Sequence, residues 1–101
     1  MITKFRVYML SVEFYREVQG LKIPTHLKTQ IQRAASGISL CIAEGYGRQS
    51  FQDKNRFYSM ALGSLRESQA VLHLADVRAP KTLDLADHLG ASLFKLTRWK
   101  P

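Results

Sequence analysis

Two helix-period apolar runs meet across a break of a few residues inside positions 27–77, and this arrangement most constrains the fold. The first run places Leu27, Ile31, Ala34, Ala35, Ile38, Cys41 and Ile42 on one face of a helix over residues 26–44. Gly45 and Gly47 follow, and the reading assigns them to helix closure, because glycine readily takes the left-handed conformation at a helix C-terminus. The second run opens at Ser50, with Asp53 three residues on in a variant of the capping box. It carries Phe57, Ala61, Ser64, Leu65, Ser68, Val71, Leu72 and Ala75 as far as Val77. Amphipathic helices joined this tightly fold back on one another antiparallel. Gly37 costs its helix about 1 kcal/mol relative to alanine, so it marks a place where another backbone comes close.

Two further helices flank the pair. Residues 3–19 repeat Phe5, Tyr8, Val12, Tyr15 and Val18 at helical spacing, with Gly20 as a stop. Pro24 blocks continuation, and Thr25 is a good N-cap for the next helix. Ala79-Pro80 breaks the chain again, and Pro80 suits the first turn of a helix over residues 80–98. That helix packs through Leu83, Ala86, Leu89, Leu93 and Leu96, with Gly90 weakening its middle. No strand-like alternation, repeat or low-complexity segment is present. The chain of 101 residues is therefore read as one all-α domain over residues 1–101, an antiparallel four-helix bundle.

Hydrophobic residues make up 46% of the chain, enough for a real core, and no apolar run approaches the roughly 18–20 residues of a membrane span. Glu13, Arg16 and Glu17 arrive too early for a signal peptide. Cys41 is the single cysteine and has no internal disulfide partner. A cytoplasmic location and no membrane partner are expected.

Two ordered motifs carry a resemblance. The first is Arg33-Ala34-Ala35, Ile38, Ile42-Ala43-Glu44-Gly45-Tyr46-Gly47-Arg48 and Ser50; the second is Arg56-Phe57-Tyr58, Ala61-Leu62-Gly63-Ser64-Leu65 and Glu67. Together they resemble the signature of the four helix bundle protein family, also called the 23S rRNA intervening-sequence protein family. The match is good over residues 25–78 and weaker in the outer helices. Gly37, Ser39 and Cys41 stand where that family usually has Ser, Pro and Asn, so any role of that Asn does not transfer. The resemblance implies an up-and-down four-helix bundle, a homo-oligomer with pentameric rings as the known form, no enzymatic activity and no cofactor. It extends distantly to the accessory variability determinant proteins of diversity-generating retroelements, basic pentameric bundles that bind nucleic acid and a reverse transcriptase.

The charged motif residues Arg33, Glu44, Arg48, Arg56 and Glu67 are read as a structural polar network. Glu44 and Arg48 are four apart and can pair on one helical face, and Glu67 is placed to meet Arg33 from the neighbouring helix. If such pairs are buried, removing one partner costs roughly 3–5 kcal/mol. Gly45-Tyr46-Gly47-Arg48 is not a phosphate loop, since it lacks the terminal Lys-Ser/Thr and follows a helix. His26, His73 and His88 lack metal-ligand spacing, and Cys41 on an apolar face reads as a small core residue rather than a nucleophile.

The net charge of +7 directs attention to polyanions. Lys4, Arg6, Lys22, Lys28, Lys54, Arg66, Arg78, Lys81, Lys95, Arg98 and Lys100 are expected at the surface. Of the basic residues, Lys22, Lys28, Arg48, Lys54, Arg66, Arg78 and Lys81 are the candidate contacts to RNA or DNA phosphates, sequence-tolerant and salt-sensitive. Tyr46, Phe51, Tyr58 and Trp99 are candidate stacking residues, although core or interface packing is the favoured reading of each. The leading function is a non-enzymatic oligomer that binds nucleic acid or a nucleoprotein partner. The alternative is a protein-interaction scaffold whose charge is incidental.

Overall fold

In the computed structural model, which describes residues 3–98, four helices follow one another: α1 (Lys4–Gln19), α2 (Thr25–Gly47), α3 (Phe51–Leu74) and α4 (Pro80–Arg98). They pack as an all-α bundle in which α2 contacts α1 and α3, and α4 closes the ring by touching α3 and α1. The connections are short, so successive helices run up and down, and the molecule measures 42 × 24 × 18 Å.

Each helix starts for a local reason. The Thr3 hydroxyl accepts from the Arg6 amide at 3.1 Å, and the Ser50 hydroxyl accepts from the Asp53 amide at 3.0 Å, as the sequence predicts for Ser50. Helix α2 begins one residue before expectation: Pro24 is its N-cap, and the Leu27 and Lys28 amides bond to the Pro24 carbonyl rather than to a Thr25 side chain. Helix α3 ends at Leu74, short of the expected Val77, in a Schellman motif. The Val77 amide reaches the Leu72 carbonyl at 2.9 Å, and the Asp76 amide reaches His73 at 3.1 Å. Asp76 takes the left-handed position at φ 54°, a place more often held by glycine.

The largest correction concerns the glycines after Ile42. Helix α2 runs through Gly47, no described glycine has a positive φ, and Arg48 is the C-cap in an extended conformation. Gly45 is there for room. A β-carbon at Gly45 would lie 2.7 Å from Tyr58 Cε1, 3.0 Å from Tyr58 Cδ1 and 3.1 Å from Phe57 Cβ. Gly37 is less crowded: its β-carbon would sit in ordinary contact with the Ser64 side chain, 3.4 Å from Oγ.

The core is built from Phe14 and Val18 of α1, Ile31, Ala35, Ile38 and Ile42 of α2, Leu65, Val71 and Leu72 of α3, and Leu89 and Leu93 of α4. In α1 the buried positions are Val7, Ser11, Phe14 and Val18, not the stripe expected through Phe5, Tyr8, Val12 and Tyr15. The helix is rotated so that Ser11, fully buried, can bond to Ser39 at 2.8 Å and to the Tyr8 carbonyl at 2.6 Å. Phe5 and Tyr8 are left at the surface, 56% and 36% exposed.

The glycine geometry separates two substitutions. Gly45→Ala is expected to lower unfolding free energy by about 1–3 kcal/mol through overpacking against Tyr58. Gly63→Ala, with open space around its β-carbon, is expected to raise it by about 0.5–1 kcal/mol through helix propensity. Urea midpoints at constant slope check both, and an unperturbed Gly45→Ala would refute the packing role.

Candidate functional site

The up-and-down path brings four termini together at one end: the start of α1, the end of α2, the start of α3 and the end of α4. The level of Ser11–Ser39 and Gly37–Ser64 divides the bundle in two. In the half that holds the α2–α3 turn lie Lys4, Arg6, Arg48, Lys54, Arg56, Lys95 and Arg98, seven bases against the two acids Glu44 and Asp53. The remaining described residues hold seven bases against six acids. Nearly all of the described net charge therefore sits at one end.

Of the sequence-predicted phosphate contacts, Arg48 and Lys54 lie in this basic half. Lys22, Lys28, Arg78 and Lys81 belong to the opposite end, and Arg66 lies near the middle of α3. Several of these are engaged locally. Lys28 Nζ donates to the Gln19 carbonyl at 2.9 Å and to the Leu21 carbonyl. Arg78 pairs with Asp76 at 3.3 Å, Lys81 approaches Glu17 at 3.5 Å and Glu13 at 3.8 Å, and Arg66 donates to Gln69 at 2.9 Å. The structure thus spreads the seven candidates over both ends and the middle rather than gathering them in one patch. Lys100 and Trp99 lie outside the described residues.

Around the α2–α3 turn the polar groups interlock. Lys54 Nζ donates to the Tyr46 carbonyl at 2.9 Å and the Gly45 carbonyl at 3.4 Å, so a cation satisfies the end of α2. Arg48 pairs with Glu44 at 2.9 Å, and its guanidinium stands 4.7 Å from the centre of the Phe57 ring. Arg56 approaches the same ring at 4.6 Å and Asp53 at 3.6 Å. These pairs are well exposed, so the cost of stranding a buried charge does not apply to them, and each contributes at most about 1 kcal/mol. The expected meeting of Glu67 with Arg33 is absent among the described residues. The antiparallel register sets Gln30 opposite Glu67, at 3.4 Å, and leaves Arg33 exposed.

Beside the turn, Lys4, Phe5 and Tyr8 of α1 face Ile42, Ala43 and Tyr46 of α2 across a groove of about 270 Å³. Tyr46 is 62% exposed. Lys54 lies 5.9 Å from the Tyr46 ring centre, and Lys4 lies 5.7 Å from that of Tyr58. Tyr58 itself is buried and cannot serve as a stacking surface, while Phe51 is half-buried. Sequence reasoning missed Phe5 and Tyr8 because it placed them in the core stripe of α1. The overlooked signal is that α1 carries more apolar residues than one stripe can bury.

Burial, and secondarily Glu44, pushes the Cys41 thiol above its ordinary range, which suits a packing residue rather than a nucleophile. His26, His73 and His88 are exposed on three different helices. Among the described residues, no group of three His, Cys, Asp or Glu side chains is placed to hold a metal ion. No described helix is long and apolar enough to cross a membrane.

Residues 3–96 match the family model described as 23S rRNA-intervening sequence protein. That span includes both motifs and reaches into the first and last helices, where the motif resemblance is weakest. No curated protein and no solved structure matches the chain significantly.

The Tyr58 hydroxyl is buried without a hydrogen-bond partner among the described residues. Burial, and secondarily Tyr46, pushes its pKa above the ordinary phenol value. The folded state therefore favours the protonated phenol, and this contribution is lost as pH rises past the ordinary phenol range. Tyr58→Phe is expected to leave stability at neutral pH unchanged or raise it by about 1–3 kcal/mol, and to reduce the loss of stability in alkali. Denaturant melts at neutral and alkaline pH check this; a clear loss at neutral pH would show that the hydroxyl has a partner.

Proposed function

The chain belongs to the 23S rRNA-intervening sequence protein family, and on that premise we propose that it is a non-enzymatic, self-associating bundle that binds nucleic acid, alone or within a nucleoprotein, through its basic half. The carrying observation is the charge asymmetry, seven bases against two acids around the α2–α3 turn. A field of one sign, gathered from four helix ends, attracts a polyanion without demanding a sequence. Arginine and lysine side chains that point into solvent suit phosphate oxygens, and such contacts are salt-sensitive.

Self-association is supported by the outer face of the α2–α3 pair. Leu40 is 69% exposed and Met60 is 48% exposed, and the register of Gly37 against Ser64 sets them at about the same height. Large apolar side chains exposed to solvent favour a protein partner, and a second copy brings the same surface. A ring, with five copies as the resemblance implies, would repeat the basic end around its axis. The same exposed face supports the second reading, a protein-interaction scaffold without nucleic acid.

The proposal predicts binding to RNA and DNA at about 50 mM salt that weakens steeply by about 200 mM. Arg6→Gln and Lys95→Gln are each expected to lower affinity and reduce the salt slope by about one; Lys22→Gln and Arg78→Gln, in the balanced half, are expected to have smaller effects. Light scattering is expected to give a multiple of 11.5 kDa, and Leu40→Lys to shift it toward the monomer. Absence of binding at the lower salt concentration would refute the nucleic-acid reading and leave the scaffold.

A further inference from the structure

We propose that the groove between α1 and α2, walled by Phe5, Tyr8 and Tyr46, is a stacking site for single-stranded nucleic acid. The inference rests on the reading that the basic half binds nucleic acid, and it adds which strand form is bound and where. Three aromatic rings from two helices share one groove, and each is substantially open to solvent. Ile42 and Ala43 complete its lining with apolar surface, and Lys4 brings a cation to it.

Charge and rings are interleaved at the spacing of one side chain. Lys54 lies beside the Tyr46 ring and spends two of its N–H donors on helix carbonyls, which leaves a third for a phosphate oxygen. Arg6 is exposed in the first turn of α1, and no acidic residue precedes Glu13 in that helix. A polynucleotide strand presents the matching chemistry, flat bases for rings and phosphates for cations. In a duplex the base faces are already stacked on one another, so rings set in a groove gain nothing from them. The geometry therefore favours single strands. An acidic peptide with apolar side chains is the competing occupant, and a groove built for it would give no preference for single strands over duplex.

The test is fluorescence anisotropy with labelled oligo-uridylate and oligo-thymidylate of roughly 12 nucleotides, within the site sizes of single-strand binders, and with a blunt duplex of equal length. Wild-type protein is expected to favour the single strands, and the two oligonucleotides report whether the ribose hydroxyl matters. Tyr46→Ala and Phe5→Ala are each expected to weaken single-strand binding by about 5- to 150-fold, with duplex binding and the salt slope unchanged. Tyr46→Phe keeps the ring and is expected to bind like wild type. Circular dichroism on every variant confirms that the bundle is intact. Equal affinity for duplex and single strand, or single-strand binding that survives Tyr46→Ala, would overturn the stacking site while leaving the phosphate reading in place. No binding of any probe at about 50 mM salt would overturn both.

Discussion

The contact between Gly45 and Tyr58 is the constraint from which the arrangement of the basic end follows. Tyr58 is 2% exposed, and its ring occupies the volume that any larger residue at position 45 would need. This lets α2 and α3 come close just where the chain reverses, with only Arg48, Gln49 and Ser50 between them. The close approach also brings Lys54 to the last carbonyls of α2 and Arg48 to the Phe57 ring. Lys4 over the Tyr58 ring ties the start of α1 to the same point. One glycine thus coordinates three helix ends.

Gathering those ends has an electrostatic consequence. Two helix N-termini and two C-termini meet there, so the macrodipoles largely offset one another and the side chains decide the local field. Such an excess of like charge works against compaction. The bundle tempers it by setting guanidiniums against aromatic rings: Arg48 and Arg56 at Phe57, and Arg98 at Phe94, 4.3 Å from its centre. Cation–π contacts of this exposure contribute about 0.5–1 kcal/mol each. They help to hold the cations in place, together with the pairs Arg48–Glu44 and Arg56–Asp53.

The four helices and their order are legible in the sequence, because period and punctuation agree at Gly20-Pro24, Ser50 and Ala79-Pro80. Three features are not. The end of α3 is invisible because Asp76 takes a position that glycine usually marks. The purpose of Gly45 is misread because a helix-ending glycine and a close-approach glycine look alike in one dimension. The charge asymmetry is hidden because its members are scattered from Lys4 to Arg98 and only the up-and-down path collects them. For the same reason the candidate phosphate contacts chosen by local sequence fall at both ends of the molecule.

Helix α1 shows why a surplus of apolar residues need not mean a larger core. It offers two stripes, Val7–Ser11–Phe14–Val18 and Phe5–Tyr8–Val12–Tyr15, and it can bury only one fully. The buried stripe contains a serine and the exposed one contains three aromatic rings, so simple transfer of apolar area does not choose between them. Fit does. Ser11 is small enough to sit fully buried opposite Ser39; its hydroxyl donates to the Tyr8 carbonyl and can accept from the Ser39 hydroxyl, so α1 can approach α2 closely. A tyrosine at that level would hold the helices apart and open space around Val7 and Phe14, whose close packing contributes more than raw area. Of the rings displaced by this choice, Phe5 and Tyr8 emerge at the N-terminal end of α1, against Tyr46 and among the cations of the basic half, while Tyr15 stays half-buried against the core. The packing rule that fixes α1 in the bundle is thus also what leaves an aromatic groove open to solvent at the most positive end of the molecule.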